Sequence, residues 1–509
     1  MINRDGYTIS LWQQHISAFP LSSTRHEQVY DIIIVGGGIT GVTTALLLQE
    51  AGFKCLLLEA ANLGYGTTGG TTAHLNTLLD VSYETIEKNF GLPAARSIAK
   101  ASANAIAFIE KMTQEYSIDC GFNTADAYQY AQNKEQDEAL DREATAATNA
   151  GLDVSRVATL PLPISCISAI QVKGQAKFSP LPYLYELAKA FENIGGVILE
   201  NTRVTKIEHK GKVEITAGEQ TFTGRKLVLA THIPPGINLL HLRCIPYRSY
   251  ALAARLAQND YPQDLYYDME EPFHYIRSQE VDGQQYLIVG GEDHKTGHHE
   301  NTTLCFRQLE AWVHKHFKVE EITQRWSSQF YEPVDGLPYI GQLPGEEEDV
   351  YVATGFSGNG MIYGTIAALL LRDMLLGVPN ELEMILDPNR LKPIAGFSNF
   401  ISHNADVAMQ FVGKLIPAAS LHLLADLAPG EGRVITYESE KMAVYKDETG
   451  ELHSVSPVCT HLKCDVNWNS GERSWDCPCH GARYSPDGQV LNCPATMALQ
   501  ALHVAATVK

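Results

Sequence analysis

The sequence predicts two domains of different fold class, an α/β domain around a parallel sheet followed by a small all-β domain. The first prediction rests on an apolar run, Val29–Val35, that leads through glycines into a helical segment and a second apolar run, which is the order of a βαβ unit. The second rests on a change near residue 428, where short β segments begin to alternate with Gly, Asp and Pro turns.

The predicted elements follow this order along the chain. Val29–Val35 and Lys54–Leu58 are predicted as buried parallel strands, and Thr40–Ala51 between them as a helix that ends before Gly52. The segment 245–290 is rich in strand signals, and Val281-Asp282-Gly283 indicates a hairpin turn. Further helices are predicted at Tyr83–Glu115, Lys134–Ala150 and Ile362–Leu376, and further strands at Val197–Leu199, Arg203–Glu208, Lys212–Thr216, Lys226–Ala230 and Val350–Ala353.

These elements divide the chain into four parts. Residues 1–28 are predicted to form a polar, irregular leader that packs on the surface, 29–395 the α/β domain, 396–425 a helical linker, and 426–509 the all-β domain. The linker places apolar residues on roughly one face, which indicates docking between the domains. Attachment to a membrane surface is the alternative, and the acidity of the chain disfavours it.

Composition excludes several classes of function. The chain has 509 residues and a net charge of −20, which disfavours binding to nucleic acid or to an anionic membrane. It contains no apolar run of about 18 residues, so no transmembrane segment is expected, and the start of the sequence does not resemble a signal peptide, which predicts a cytoplasmic protein. Five of the ten cysteines fall within the 35 residues from Cys459 to Cys493, which indicates a metal site.

The glycine-rich turn after the first strand carries the first functional motif. Gly36, Gly38 and Gly41 match GxGxxG between a strand and a helix, and Glu59 ends the next strand 18 positions after Gly41. Gly36 allows the tight turn, Gly38 lets a pyrophosphate approach the backbone, and Gly41 allows the helix to pack closely on the strand. The helix N-terminus faces the phosphate charge, and Glu59 can accept both ribose hydroxyls. The motif therefore predicts dinucleotide binding.

Later segments indicate which dinucleotide is bound. The hydroxyl-rich segment Gly64–Ala73 follows the ribose acid, and Asp335–Gly341 (DGLPYIG) precedes Ala353–Met361 (ATGFSGNGM) at the start of a helix. In this order the motifs resemble the D-amino-acid oxidase (DAO) superfamily of FAD-dependent oxidoreductases, over about residues 28–380. The resemblance implies a Rossmann-like FAD-binding domain with an inserted α+β substrate domain, of the DAO/glutathione-reductase type, and hydride transfer from a substrate to the flavin. It also implies that FAD contacts Thr67, Thr68, Thr71, Thr72, Val204, Ala230, Gly355, Gly358, Gly360 and Met361.

His74 has two interpretations. The segment Thr68–Leu78 (TGGTTAHLNTL) is similar to the segment that carries a flavin-linked histidine in the dimethylglycine and sarcosine dehydrogenases, and His74 matches that histidine. A covalent bond would generally raise the flavin potential and favour a dehydrogenase. The alternative is a non-covalent histidine packed near the flavin ring.

The resemblance leaves the substrate open. Amino-acid oxidases of this superfamily usually bind the substrate carboxylate with an Arg just before DGxPxIG, but Trp326–Pro333 has none, and Ile362 stands where some relatives carry a Lys. An amino-acid substrate of the usual kind is therefore not expected. Arg248 and Arg277 are either substitutes for that Arg or ordinary surface or strand-end residues. The candidate catalytic residues, each with a structural alternative, are Gln329, Tyr331, His274, Tyr275 and His294.

The C-terminal cysteines and histidines form two loops, Cys459-x-His461 and Cys477-x-x-His480, separated by fifteen residues. Two Cys and two His could hold zinc, but zinc fingers pair Cys with Cys and His with His, and each loop here carries an additional Cys. The sequences CTHLKC and CPCHGARY resemble a Rieske [2Fe–2S] domain over about residues 425–509. The resemblance implies that Cys459 and Cys477 ligate one iron, that His461 and His480 ligate the other, and that Cys464 and Cys479 form a disulfide between the loops.

Two positions of this motif bear on the potential of the cluster. Rieske clusters span about −150 to +300 mV, and high-potential members tune theirs with a Ser and a Tyr beside the cluster sulfurs. Tyr484 matches the Tyr, whereas Ala482 stands at the Ser position, so we expect a potential below that of the quinol-oxidising type. Cys493 lies in the loop that covers the cluster and is expected not to be a ligand.

Together the motifs predict an FAD-dependent dehydrogenase that oxidises a small organic substrate, with amines among the options. Electrons would pass from FAD through the [2Fe–2S] cluster to an external carrier that is ferredoxin-like, a cytochrome or quinone-linked. One alternative is reversed flow, in which a ferredoxin feeds the cluster and FAD supports a reductive or oxygen-activating reaction. Another is a non-enzymatic electron-transfer module. A Rieske oxygenase is disfavoured because the sequence shows no clear pair of His with a carboxylate for mononuclear iron.

Overall fold

The structure, a computed structural model, describes residues 4–21, 29–209, 211–345, 349–390, 419–420, 427–437 and 440–502. The predicted helical linker at 396–425 lies outside this part of the chain, apart from residues 419–420. Among the helices that are described, none combines the length and the apolar character needed to cross a bilayer.

The elements are numbered along the chain. The helices are α1 Leu11–Gln14, α2 Ile39–Glu50, α3 Thr67–Gly70, α4 Tyr83–Phe90, α5 Leu92–Glu115, α6 Lys134–Ala150, α7 Pro180–Asn193, α8 Thr302–His316, α9 Gly360–Leu376 and α10 Leu382–Leu386. The strands are β1 Val29–Val35, β2 Cys55–Leu58, β3 His74–Leu75, β4 Asn123–Ala131, β5 Val154–Val157, β6 Ser168–Lys177, β7 Val197–Leu199, β8 Val204–His209, β9 Val213–Ala217, β10 Gln220–Leu229, β11 Cys244–Leu256, β12 Leu265–Tyr267, β13 Tyr275–Val281, β14 Gln284–Lys295, β15 Val319–Pro333, β16 Tyr339–Gln342, β17 Val350–Thr354, β18 Ala419–Ser420, β19 Gly432–Tyr437, β20 Glu440–Lys446, β21 Leu452–Val455, β22 Asn467–Asn469, β23 Ser474–Asp476, β24 Arg483–Tyr484 and β25 Val490–Asn492.

The dinucleotide motif lies in a sheet of mostly parallel strands with the order β16-β17-β10-β1-β2-β7. The strands from β17 to β7 are parallel, and β16 pairs antiparallel at one edge. Helix α2 packs against α7 and α9, and its almost wholly buried surface explains why this segment has no polar face. The arrangement confirms the predicted α/β domain and its first βαβ unit.

A second sheet forms the inserted α+β domain, in the order β15-β11-β14-β13-β12-β4-β6-β3, with β5 on the outer part of β6. Its pairs are antiparallel except for β12 with β4, and the predicted hairpin turn joins β13 to β14. The single helix predicted over 83–115 is two helices, since Gly91 takes a φ of +88° between α4 and α5. Strands β4, β6 and β15 are absent from the prediction because polar residues interrupt their apolar runs.

The C-terminal part is all-β, as predicted. It consists of two four-stranded sheets, β18–β21 and β22–β25. The second sheet and the loops beside it surround a buried cluster that contains Trp475, Tyr484 and four of the five C-terminal cysteines. The core of this small domain is therefore built around its cysteine loops.

Part of the N-terminal segment is buried, which differs from the predicted surface leader. Leu11 and Trp12 of α1 are covered, and the Trp12 indole N–H donates to the carbonyl oxygen of Thr71 at 2.6 Å. Asp5 accepts a hydrogen bond from Arg483 of the C-terminal domain through its backbone carbonyl oxygen, at 2.5 Å. Because both domains contact it, this segment fastens them together.

Glu472, a buried carboxylate, lies where the N-terminal segment, the second sheet and the C-terminal domain meet. Its Oε1 lies 3.1 Å from Nη1 of Arg4 and accepts a hydrogen bond from the backbone N–H of Ser327 at 2.8 Å. Burial alone would raise its pKa, but the positive charges of Arg4 and two further arginines hold the pKa of Glu472 below its ordinary value. The contact between the domains thus depends on an ionised, desolvated group.

Glu472→Gln should therefore destabilise the protein. The substitution leaves buried arginine charge without its counterion, and breaking a buried ion pair in this way costs about 3 kcal/mol or more. Urea unfolding followed by tryptophan fluorescence measures the effect. The matched control is Glu115→Gln, whose exposed pair with Lys111 is worth less than about 1 kcal/mol. Equal losses in the two variants would contradict this account of the interface.

Candidate active site and metal centre

The glycines of the GxGxxG motif lie where no side chain fits. Gly36 has a φ of +115°, and a Cβ on it would lie 2.3 Å from the carbonyl oxygen of Ala230 at the end of β10. A Cβ on Gly41 would lie 1.8 Å from the carbonyl oxygen of Gly36, and one on Gly38 would lie 2.9 Å from Oγ1 of Thr68. The motif therefore forms the tight turn and the close helix–strand packing that the sequence predicts.

A cavity opens at the N-terminus of α2. Its walls bring together residues from the turn, from α3, from β8, from the segment that follows β10, and from the start of α9. Gly41 and Gly355 do not line it and serve the packing around it. The predicted residues that do line it are Gly36, Gly38, Glu59, Thr67, Thr68, Val204, Ala230, Gly360 and Met361.

Glu59 lies in the wall of this cavity at the end of β2. Its two carboxylate oxygens accept backbone N–H groups, one from Gly37 at 2.7 Å and one from Ala61 at 2.8 Å. Burial raises the pKa of Glu59 above its ordinary value, and these hydrogen bonds oppose the shift. Each oxygen still has a lone pair for a hydroxyl, so the residue fits a ribose.

A second cavity adjoins the first and shares Thr67, Ser357, Gly360 and Met361 with it. A ligand that spans both would therefore lie along the start of α9. The predicted residues in its walls are Thr67, Thr71, Thr72, His74, Gly358, Gly360, Met361, Tyr275 and Gln329. Its other walls contain Asp80, Ser249, Tyr267, Phe273, Asp293 and Phe330, which the motifs do not identify.

His74 begins β3 in the wall of the second cavity. Its Nδ1 lies 3.1 Å from the hydroxyl of Thr72, and its ring lies 5.6 Å from that of Tyr275. Burial, together with the charge of Arg277, holds the pKa of His74 well below its ordinary value. A neutral imidazole at this position suits both interpretations, a covalent link to the flavin and a contact with it.

Three of the candidate catalytic residues lie outside both cavities. His274 is 2.8 Å from Asp268 and 3.6 Å from Glu292; burial alone would lower its pKa, but these carboxylates raise the pKa of His274 to about 9. His294 forms a hydrogen bond with the hydroxyl of Tyr250. Tyr331 faces the C-terminal domain.

The interpretation of Arg248 and Arg277 as surface or strand-end residues is wrong, because both are fully buried. Neither lines the second cavity. Arg277 donates hydrogen bonds to the carbonyl oxygens of Thr72 and Phe178 and so holds the segment before β3. Arg248 donates to the hydroxyl of Ser327 at 2.6 Å. Each guanidinium group is therefore bonded to the protein through Nη1, while Nε of both residues and Nη2 of Arg248 are buried without a hydrogen-bond partner among the described residues.

The cysteine loops of the C-terminal domain converge on one point. Cys464 and Cys479 form the disulfide that the Rieske resemblance implies. The thiols of Cys459 and Cys477 contact each other, and the Tyr484 hydroxyl lies 3.2 Å from Sγ of Cys459. Two adjacent thiols with a hydroxyl beside one of them form the sulfur half of a cluster site.

The histidines form the other half. The rings of His461 and His480 lie 5.1 Å apart. Nε2 of His461 lies 3.0 Å from the carbonyl oxygen of Gly236, which fixes its proton on that nitrogen, while Nδ1 is buried and has no hydrogen-bond partner among the described residues. A buried nitrogen with a vacant lone pair is the donor that an iron requires, so these residues fit a [2Fe–2S] cluster.

The first cavity and the predicted cluster site are built partly from the same C-terminal segment. The loop from Leu491 to Thr496, next to the cluster loops, lines the first cavity, and the carbonyl oxygen of Pro494 accepts the backbone N–H of Gly236 at 3.1 Å. Cys493 belongs to this loop, and burial raises the pKa of its thiol to about 11. A neutral thiol in the flavin-side cavity agrees with its expected role as a non-ligand.

Comparison with known proteins agrees with this geometry. The family model of the DAO group, FAD dependent oxidoreductase, matches residues 31–374. The chain belongs to the FAD-dependent oxidoreductase family. A second model, the Rieske [2Fe–2S] domain, matches residues 420–503. The protein is thus an FAD-dependent oxidoreductase that binds FAD in its first domain and a [2Fe–2S] cluster in its second.

Individual relatives share all or part of this architecture. The chain is 34% identical, over 95% of both lengths, to the putative Rieske 2Fe-2S iron-sulfur protein YhfW of Bacillus subtilis (strain 168). It is 23% identical to gamma-glutamylputrescine oxidoreductase of Escherichia coli (strain K12), over 70% of this chain and 86% of that one. The solved structure of glycine oxidase from Geobacillus kaustophilus has a TM-score of 0.62 at 19% identity, covers 72% of this chain and all of its own, and supports the fold.

The residues that sequence reasoning misses share one property, which is that the docking of separate elements brings them to the sites. His241, in a short 3₁₀ turn at Leu239–Leu242, has its ring 4.7 Å from that of His461. Asp80 and Asp293 enter the second cavity from a loop and from β14. A single sequence offers no signal for such contacts, since each depends on the docking of separate elements.

Two reciprocal substitutions test the separation of the cofactor sites. Gly38→Val should abolish the flavin absorbance, because its side chain would fill the pyrophosphate approach beside Thr68, and should leave the cluster signal in electron paramagnetic resonance. Cys477→Ser should do the opposite. Each variant is the folding control of the other, and retention of the Rieske signal in Cys477→Ser would overturn the ligand assignment.

Proposed function

We propose that the protein is a dehydrogenase that oxidises a small amine at the flavin and passes the electrons through the Rieske cluster to an external one-electron carrier. In the oxidation, bound FAD would accept the substrate C–H hydrogen as a hydride while the N–H proton leaves to solvent, so that the C–N bond becomes C=N and water can hydrolyse the imine. A [2Fe–2S] cluster held by the cysteine and histidine loops would supply one-electron transfer, so the two electrons would leave one at a time.

The observation that carries the proposal is the position of β15 between the two sites. Ser328 and Phe330 line the second cavity, whereas Ser327 and Tyr331 form hydrogen bonds with the C-terminal domain. Because successive side chains of a strand point to opposite faces, a single strand separates the substrate side from the cluster side.

Gln329 contacts both sides of this boundary. It lines the second cavity, and its Nε2 donates a hydrogen bond to the carbonyl oxygen of Gly481 at 2.9 Å, one residue from the predicted ligand His480. The Tyr331 hydroxyl donates to the carbonyl oxygen of His480 itself at 3.3 Å. These bonds favour transfer between the cofactors without a movement of the domains.

A second connection starts from the first cavity. His232 lines that cavity, and its ring lies 4.8 Å from the ring of Tyr331. Burial lowers the pKa of His232 to about 4, so the ring is neutral near pH 7. Two short chains of contacts therefore lead from the flavin side to the loop of His480.

An amine is favoured over an amino acid as the substrate. The relative from Escherichia coli is named for a substrate with an amine group, and the arginines that could bind a carboxylate are engaged elsewhere. We place the reaction in the cytoplasm because Cys55, Cys120, Cys166, Cys244 and Cys305 are unpaired, as expected under reducing conditions. The carrier is ferredoxin-like, a cytochrome or quinone-linked.

Anaerobic mixing with a panel of small amines tests the proposal. We expect flavin absorbance to bleach first and the signal of the reduced Rieske cluster to follow, in the absence of oxygen. If a reduced ferredoxin reduces the cluster before the flavin, and no amine bleaches the flavin, the result would instead favour electron flow from the ferredoxin to FAD. No reduction from either side would favour a non-enzymatic module.

Gln329→Leu should slow the second of these steps and spare the first. The substitution removes the hydrogen bond that joins the second cavity to Gly481, and its expected effect is slower reduction of the cluster with an unchanged rate of flavin bleaching. The matched control is Gln324→Leu on the same strand, where the lost bond is to Gln14. An unchanged rate in Gln329→Leu would exclude this contact from the transfer path.

A further inference from the structure

We infer that the second cavity selects a cation, and that Asp293 binds the ammonium group of a substrate that carries no carboxylate near the reacting carbon. The inference rests on the proposed function for the chemistry that follows binding, but the selection itself is a property of the empty pocket. It follows from the charge of the walls, the orientation of β14 and the aromatic surfaces around Asp293.

The Asp, Glu, Lys and Arg residues in the described walls of the second cavity are all acidic. Two carboxylates, Asp80 and Asp293, line the cavity, and among its described lining residues there is no Lys or Arg. His74 is neutral, as its lowered pKa indicates. A bound carboxylate would therefore meet two acidic groups and no Lys or Arg among the described lining residues, whereas an ammonium group would stabilise the ionised form of Asp293 and gain a counterion.

A β-bulge directs Asp293 into the cavity. Arg248 of β11 pairs with His294 of β14, and Tyr250 pairs with Gly291, so Ser249 alone stands opposite Glu292 and Asp293. The extra residue interrupts the regular pairing of β11 with β14, and Glu292 takes a φ of +59° at this point.

The bulge separates the roles of the two acidic residues. The Glu292 carboxylate lies 3.6 Å from Nε2 of His274, away from the cavity, whereas Asp293 lines it. The bulge, with its positive φ at Glu292, lies at the point where one carboxylate is presented to the pocket.

Asp293 lacks the partners that a buried carboxylate normally has. Its Oδ1 is buried and has no hydrogen-bond partner among the described residues, and Ser249 is the side chain that supports the group. Burial raises the pKa of Asp293 to about 8, which indicates that the ionised form needs a cation beside it. An ammonium group would supply both the charge and the missing hydrogen bond.

Aromatic side chains complete the site. Tyr267, Phe273, Tyr275 and Phe330 line the same cavity, and the Tyr275 hydroxyl lies 2.8 Å from Oγ of Ser249, beside Asp293. Aromatic faces attract cations and exclude water. A carboxylate within such walls is the arrangement expected for a small alkylammonium ligand.

Ligand binding to the oxidised holoprotein tests the inference without turnover. The probes are tetramethylammonium and propylammonium chloride against sodium propionate and benzoate, at matched ionic strength, with the flavin absorbance and calorimetry as readouts. We expect the cations to bind and to perturb the flavin spectrum, and the anions to bind at least tenfold more weakly.

Asp293→Asn should weaken cation binding by about tenfold or more while retaining the flavin spectrum. The matched control is Glu280→Gln on the neighbouring strand β13, an exposed acid that makes the same change in net charge. Anions binding as tightly as cations, or equal cation affinity in Asp293→Asn and the parent protein, would overturn the inference.

The outcomes also separate this inference from the proposed function. Cation binding that depends on Asp293, with no amine able to reduce the flavin, would leave the pocket assignment standing and overturn the dehydrogenase. If an amine reduces the flavin and its affinity is unchanged in Asp293→Asn, the dehydrogenase would stand and the role of Asp293 would be overturned.

Discussion

The alternation of side chains along β15 is the constraint on which both halves of the molecule depend. One face of this strand forms a wall of the second cavity, and the other receives the C-terminal domain through Ser327, Gln329 and Tyr331. A shift of one residue in its pairing with β11 would exchange the two faces and remove both sites together. The thirteen-residue ladder between β11 and β15 is what prevents such a shift.

Electrostatics reinforces this register. Glu472 reaches across to the backbone of Ser327 and is held by Arg4, so the N-terminal segment, the second sheet and the cluster domain share one buried ionic network. Removing two charged groups from water is favourable only when their geometry is good and their remaining hydrogen bonds are met. The network therefore specifies one docked arrangement, and the segment Leu491–Thr496 that lines the first cavity is fixed with it.

The sequence predicts local features well and contacts between distant segments poorly. The turn at Gly36–Gly41 and the strand before it are recognised because their chemistry lies within a few residues, and Cys464 and Cys479 follow from a compact motif. The roles of the leader and of Tyr331 could not be predicted, since their partners lie more than a hundred residues away. The bulge at Asp293 is likewise invisible, because two adjacent acids in GGED give no sign of which one faces a cavity.

The two buried arginines connect substrate choice with the docking of the domains. Arg248 lies on β11 beside the pocket residue Ser249, yet its guanidinium donates to Ser327 and lies 3.9 Å from Asp476 of the cluster domain. Arg277 is likewise committed to backbone carbonyl groups. Because both guanidinium groups lie outside the second cavity, no Arg among its described lining residues balances its two acids, Asp80 and Asp293. In the function and the ligand selection proposed above, the contact that brings the cluster domain to the flavin domain thus also keeps Arg248 out of the second cavity, and the proposed electron relay and amine preference depend on the same sheet.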